Sequence, residues 1–139
     1  MSFGGGPGEN SSSTKISTRP LLKHGYLEIT APSDYKNLLV IMNDPDTILY
    51  IRDIVVAMDD DGGVGSDPKP FLNVFLNGTP YVKDANMYYY YAGFGFGGSL
   101  EMYDNHKPII IQIKTVGTGT LYATAYVTGI IVPKSCCRK

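Results

Sequence analysis

No tryptophan occurs among the 139 residues, and the side chains that most often carry reactive chemistry are scarce, with two histidines and two cysteines in all. Cys136 and Cys137 are adjacent and close to the end of the sequence, which excludes an internal disulfide framework. The ending CCRK has the cysteine of a prenylation box, but the middle positions of that box are aliphatic and here are Cys and Arg. Residues 134–139 read instead as a polar tail. Neither sign of charge dominates: 12 basic residues face 13 acidic ones for a formal net charge of −1, so no overall field favours nucleic acid or an anionic membrane surface. No apolar run approaches the roughly 18 residues of a membrane-spanning helix, and MSFGGGPGENSSSTK lacks the basic start and apolar stretch of a secretory leader. The expectation is a soluble chain without signal peptide, membrane span or nucleic-acid partner.

Catalytic groupings are as sparse as their residues. His24 begins a strand-like segment and His106 sits in the polar turn DNHKP, and a lone histidine in either place reads as solvated. No Gly-x-Ser-x-Gly elbow occurs, and no His and Cys residues stand at metal-ligand spacing. Gly93, Gly95 and Gly98 satisfy G-x-G-x-x-G, but the SLEMYDNHK that follows has no helical period and stops at Pro108. A phosphate would find no helix N-terminus there, and the stretch reads as a glycine-rich loop that offers Phe94 and Phe96 as contact points. In MDDDGGVGSDPKP, Asp59, Asp61 and Asp67 are the candidate ligands for a hard cation such as calcium. The EF-hand pattern fails because its twelfth position falls on Pro70, and GGVGSD echoes a calcium-binding β-roll repeat that would need tandem copies. A solvated acidic loop with no cofactor is the expectation, with calcium as the alternative.

What the chain does have is strands. At 139 residues and 43% hydrophobic it suits one domain with a real core. GYLEIT alternates with Leu27 and Ile29 on one face; KNLLVIM is apolar on both faces, as in a covered central strand; TILYIRDIVVAM is long and rich in β-branched residues. FLNVFLNGTPYV places Asn77-Gly78 between two apolar runs, the signal of a type I′ hairpin with strands ending near Leu76 and restarting near Thr79. PIIIQIKT and TLYATAYVTGIIV alternate cleanly around a VGTG turn and read as a long closing hairpin, with Ala123 and Ala125 small where an opposite sheet comes close. Seven or eight strands without a helix period predict an all-β chain: an antiparallel two-sheet sandwich over residues 19–133, of jelly-roll or Greek-key connectivity. An extended arm, residues 1–18, precedes it. Its Gly, Ser, Pro, Asn and Thr leave Phe3 and Ile16 as the only large apolar anchors, too few to order the segment without a partner.

Eleven tyrosines, four of them consecutive from Tyr88 to Tyr91, are the compositional excess. Read as a strand, the run puts Tyr88 and Tyr90 on one face and Tyr89 and Tyr91 on the other, and Tyr89 and Tyr91 are the pair expected to face a partner. The arm, the strand series LYIRDIVVAM, FLNVFLNGTPYV and PIIIQIKTVGTGTLYATAYVTGIIVP, and an ending expected just after the last strand resemble the small jelly-roll proteins of virus particles. These are the head decoration, minor capsid and vertex or fibre-base proteins of tailed phages and archaeal viruses. That resemblance implies a non-enzymatic virion component that oligomerises, often as a trimer, and whose arm reaches onto a neighbour or a larger protein shell. The expected partner contacts are Phe3, Ile16, Tyr89, Tyr91, Phe94 and Phe96. A rival reading is a carbohydrate-binding module or adhesin tip, in which Tyr88 to Tyr91 and Phe94 stack on glycans. A third is an enzyme using Asp53 and Glu101 as acid and base.

Overall fold

The computed structural model describes residues 18–102 and 107–134. The arm before Thr18 with Phe3 and Ile16, and also His106, Cys136 and Cys137, lie outside the described residues. The described residues form eight strands: β1 (Arg19–Thr30), β2 (Ser33–Ile41), β3 (Thr47–Asp60), β4 (Asp67–Leu76), β5 (Thr79–Asn86), β6 (Tyr91–Met102), β7 (Ile109–Thr118) and β8 (Thr120–Pro133). They make two antiparallel sheets, the first ordered β1-β8-β3-β6 and the second β2-β7-β4-β5.

The pairing is that of one long hairpin rolled up. β4 pairs with β5, β3 with β6, β2 with β7 and β1 with β8, and rolling then brings β8 beside β3 and β7 beside β4. Only β4 and β5 are joined within one sheet; every other connection crosses the sandwich. This is jelly-roll connectivity. The β4–β5 turn is the Asn77-Gly78 pair, with φ of 53° and 77°, and Leu76 faces Thr79 across it. Both positive angles suit the primed turn whose twist matches the flanking strands.

Alternation fills the core. Leu121, Ala123, Ala125 and Val127 of β8 are fully buried, as are Ile109, Ile111 and Ile113 of β7 and Leu72 and Val74 of β4. β3 departs from strict alternation, which would turn Asp53 inward two residues after the buried Ile51. A bulge between Ile51 and Asp53 instead lets Ile51 and Ile54 both face the core while Arg52 stays exposed. Gly129 lies opposite Ile51, where a β-carbon would stand 1.9 Å from the Tyr50 carbonyl oxygen, so the bulge dictates glycine there.

Two expectations are corrected. β7 and β8 are not a hairpin: the chain crosses at Gly117–Gly119 from the second sheet to the first, and β8 pairs with β1 and β3. Gly117 and Gly119, with φ of 87° and 98°, make the reversal between layers rather than between neighbours in one sheet. KNLLVIM is not a covered central strand, because β2 lies at the edge of its sheet with Leu38 and Ile41 buried and Val40 and Met42 exposed. Val40 pairs with Ile110 on the outer surface, which is why both faces of the segment are apolar.

The two ends of the sandwich differ. One gathers the β1–β2, β3–β4, β5–β6 and β7–β8 connections: the Ala31 N–H donates to the Gly119 carbonyl, the Asp61 N–H to Thr120, and the Met58 N–H to Tyr90. The other gathers the start of β1, the end of β8, which the Lys134 N–H ties to the Asp46 carbonyl, and the Asn77-Gly78 turn.

Candidate interaction site at the tyrosine turn

The four tyrosines do not form a strand. β5 ends at Asn86, and Met87 to Tyr90 make the turn that carries the chain from the second sheet to the first. Met87 anchors it: its side chain is buried in the core and its N–H donates to the Pro70 carbonyl at 3.0 Å. The Tyr90 N–H donates back to the Met87 carbonyl at 2.9 Å and closes the turn. This geometry forces Tyr90 into the left-handed region at φ 63°, which costs an L-residue with a large side chain. The return comes from the ring, half-buried against the core, whose hydroxyl donates to the Pro68 carbonyl at 3.0 Å with an Asp60 carboxylate oxygen 3.4 Å away. Burial first and the Asp60 charge second push the Tyr90 hydroxyl pKa up.

Exposure therefore divides three to one rather than two to two. Tyr88, Tyr89 and Tyr91 are 76%, 84% and 61% exposed, and Tyr90 alone turns in. Tyr89 and Tyr91 are thus exposed together with Tyr88, whose ring meets that of Tyr89 edge-to-face at 4.9 Å. The alternating pattern fails because the chain must leave one sheet for the other here, and a turn with one ring tucked under it replaces the strand.

The GFGFGG stretch is corrected in the opposite direction, from loop to strand. Gly93, Phe94 and Gly95 pair with Val55, Ile54 and Asp53 of β3, with the phenylalanines turned toward the core and the two glycines outward. Phe94 and Phe96 are half-buried and meet Tyr81 of β5, at ring distances of 5.9 and 5.3 Å, across the open side between the sheets. They plug that seam and offer a partner only part of their surface.

The acidic loop does not bring its carboxylates together. Asp59 accepts from the Asp60 N–H at 3.0 Å, and Asp61 accepts from the N–H groups of Gly63 and Thr120 at 3.1 and 3.3 Å. Asp67 pairs with Lys69 at 2.6 Å. The neighbouring Ser66 hydroxyl first and the Gly63 N–H next hold the Asp61 carboxyl below the usual range. Among the described residues no three His, Cys, Asp or Glu side chains are grouped to hold a metal ion. Asp53 and Glu101 each face a neighbouring hydroxyl, that of Thr128 at 3.5 Å and of Tyr50 at 3.2 Å. His24 stacks on Tyr126, at 5.9 Å between rings, on the outer face of the first sheet, where Leu22 and Tyr26 are also exposed.

Two features had no forewarning in the sequence reading. A cleft of about 320 Å³ opens beside the tyrosine turn, with Tyr88, Tyr90, Phe71, Asn86, Asp67 and Lys69 among its walls. On the outer face of the second sheet, a ladder of amides crosses three strands: Asn73 donates to Gln112 at 3.2 Å, and Gln112 donates to Asn37 at 3.0 Å. The Asp84 N–H donates to Asn73 at 2.8 Å, and the Tyr35 hydroxyl donates to the Asp84 carboxylate. The Lys114 ammonium lies 5.2 and 5.4 Å from the ring centres of Tyr35 and Phe71. These contacts need strand order and register, which no local pattern supplies.

No protein-family model matches the chain, and no curated protein matches it in sequence. Solved structures do. The chain is similar to one from the cyanophage Pam1 capsid asymmetric unit, with a TM-score of 0.53 at 13% identity, covering 96% of this chain and 100% of that one. It is also similar to one from the infectious bursal disease virus VP2 subviral particle, with a TM-score of 0.42 at 11% identity, covering 91% of this chain and 38% of that one. At 13% identity the likeness to the cyanophage capsid chain is one of fold.

Proposed function

We propose that this chain is a structural component of a virus particle, a capsid decoration or minor capsid subunit that associates with copies of itself and with a larger protein shell. The observation that carries the reading is the end-to-end fold match with the cyanophage Pam1 capsid chain, in which each chain covers nearly all of the other. The surface chemistry supports it. Tyr88, Tyr89 and Tyr91 project from a turn fixed by a buried methionine, and Tyr26 and Tyr126 add exposed rings on the outer face of the first sheet. Tyrosine brings large contact area at small entropic cost and recurs at protein interfaces.

The arm supplies the second contact. It joins β1 at Arg19, at the end of the sandwich opposite the tyrosine turn. Eighteen extended residues reach at most about 60 Å, enough to cross a 15.2 kDa subunit and lie on its neighbour. Phe3 and Ile16 then fill pockets on the partner, and the virion is where the protein resides.

Deleting residues 1–17 tests this. The truncated sandwich should melt within a few degrees of the full chain, while sedimentation shows loss of the oligomer and micrographs show loss of incorporation into the native particle. Equal assembly of both forms at equal concentration would remove the arm from the proposal, and a full chain that stays monomeric and off the particle at every concentration would remove the rest.

A further inference from the structure

We infer that the cleft beside the tyrosine turn binds one ring of a saccharide, independently of assembly, since one chain supplies every wall. A pyranose asks two things of a site. Its C–H face needs a flat apolar surface, and its rim of hydroxyls needs donors and acceptors in the plane of the ring. Tyr88 meets the first requirement with an exposed aromatic face, and Phe71 stands on the same cleft as a second apolar wall. Asn86, Asp67 and Lys69 meet the second. An amide donates and accepts at once, and among the described residues no hydrogen bond occupies the Asn86 side chain. Asp67 offers acceptor oxygens and Lys69 donors, held 2.6 Å apart on the exposed rim.

Size and charge narrow the ligand further. The volume of about 320 Å³ lies at the low end of the roughly 300–1,000 Å³ of small-ligand sites, so one ring fits and the rest of a glycan projects into solvent. A phosphate or carboxylate would face Asp67, while the ammonium that could offset it is already paired with that carboxylate. An apolar peptide side chain would cover Tyr88 and Phe71 but strip water from Asn86 and the ion pair without replacing its hydrogen bonds, which costs affinity. The backbone that carries the walls is also held before binding. Met87 and Tyr90 pin the turn, and β4 holds Lys69 and Phe71 in register with Val116 and Lys114, so little ordering remains for the ligand to impose.

The test is a titration of the isotope-labelled full chain with the methyl glycosides of glucose, galactose, mannose and N-acetylglucosamine, followed by amide NMR shifts. Single-ring contacts of this kind reach millimolar affinity, so each sugar is taken to about 10 mM. At least one should give saturable shifts centred on Lys69, Phe71, Asn86 and Tyr88. Asn86→Ala and Tyr88→Ala should each weaken binding about tenfold or more without lowering the melting temperature, and Leu22→Ser, on the first sheet, should leave the sugar affinity unchanged. No saturable shift with any of the four sugars overturns the inference. So does binding that survives both cleft substitutions, or a Tyr88→Ala variant that alters only oligomer mass, which would make the cleft a protein contact instead.

Discussion

Tyr90 offers a quantitative test of the turn, because glycine and alanine should exchange their usual order there. In a strand, glycine is less stable than alanine by about 0.5–1 kcal/mol. At a φ of 63°, an alanine retains a left-handed penalty of about 1–2 kcal/mol that glycine escapes, against about 0.4–1 kcal/mol for the extra freedom of glycine when unfolded. Tyr90→Gly should therefore be more stable than Tyr90→Ala by about 1 kcal/mol. Both lose the ring, of which about 100 Å² buried at about 25 cal/mol/Å² is worth about 2.5 kcal/mol, and both lose the hydroxyl bond to Pro68, worth about 1 kcal/mol. Tyr90→Phe isolates the hydroxyl and should cost only that last amount. Urea unfolding of the four proteins reads the differences directly: with a slope of about 2 kcal/mol/M, 1 kcal/mol moves the midpoint by about 0.5 M. A Tyr90→Gly variant no more stable than Tyr90→Ala would refute the left-handed turn and return the tyrosines to a strand.

Other substitutions probe the core, the second sheet and the acidic loop. Ile111→Asp places an unpaired charge at a fully buried position and should leave no cooperative unfolding transition; a folded, soluble variant would put the wrong face of β7 in the core. Burial first and the bond to Asp84 second raise the Tyr35 hydroxyl pKa. The stabilisation tied to its neutral form is thus complete below the ordinary tyrosine value of about 10 and is lost as pH climbs through the raised value. Tyr35→Phe should flatten the loss of melting temperature above pH 10, and an unchanged alkaline slope would count against the Tyr35–Asp84 contact. Added calcium should leave the melting temperature where it is, since the loop carboxylates already accept from backbone N–H groups or from Lys69; a rise of several degrees that Asp61→Ala abolishes would show a bound ion.

The sandwich was legible because alternation in β7 and β8 and the Asn77-Gly78 turn are local signals, each set by residues within one strand or hairpin. Pairing was not. VGTG between two apolar strands has the composition of a hairpin turn, and nothing within it distinguishes reversal beside the same strand from reversal across the sandwich. The β3 bulge was hidden for a related reason: it answers the need to keep Asp53 out of the core, and Gly129, which lies opposite Ile51, stands 78 residues beyond it in the numbering. GFGFGG shows the converse. Its period of two, glycine out and phenylalanine in, is a strand signal that the glycine content masks.

The candidate site lies where these two levels meet. A rolled hairpin with alternate connections at alternate ends must bring the odd-numbered strand-to-strand turns, β1–β2, β3–β4, β5–β6 and β7–β8, to one end, and must leave the beginning of β1 and the finish of β8 at the other. The tyrosine turn and the acidic loop are distant in sequence yet meet through Tyr90, Asp60 and Pro68 for that topological reason. The start of β1 at Arg19 and the exposed rings of the tyrosine turn stand at opposite ends as consequences of one connectivity. Substitutions at Tyr88 and Asn86 should accordingly change what the free end binds, while changes before Arg19 change how the subunit is held.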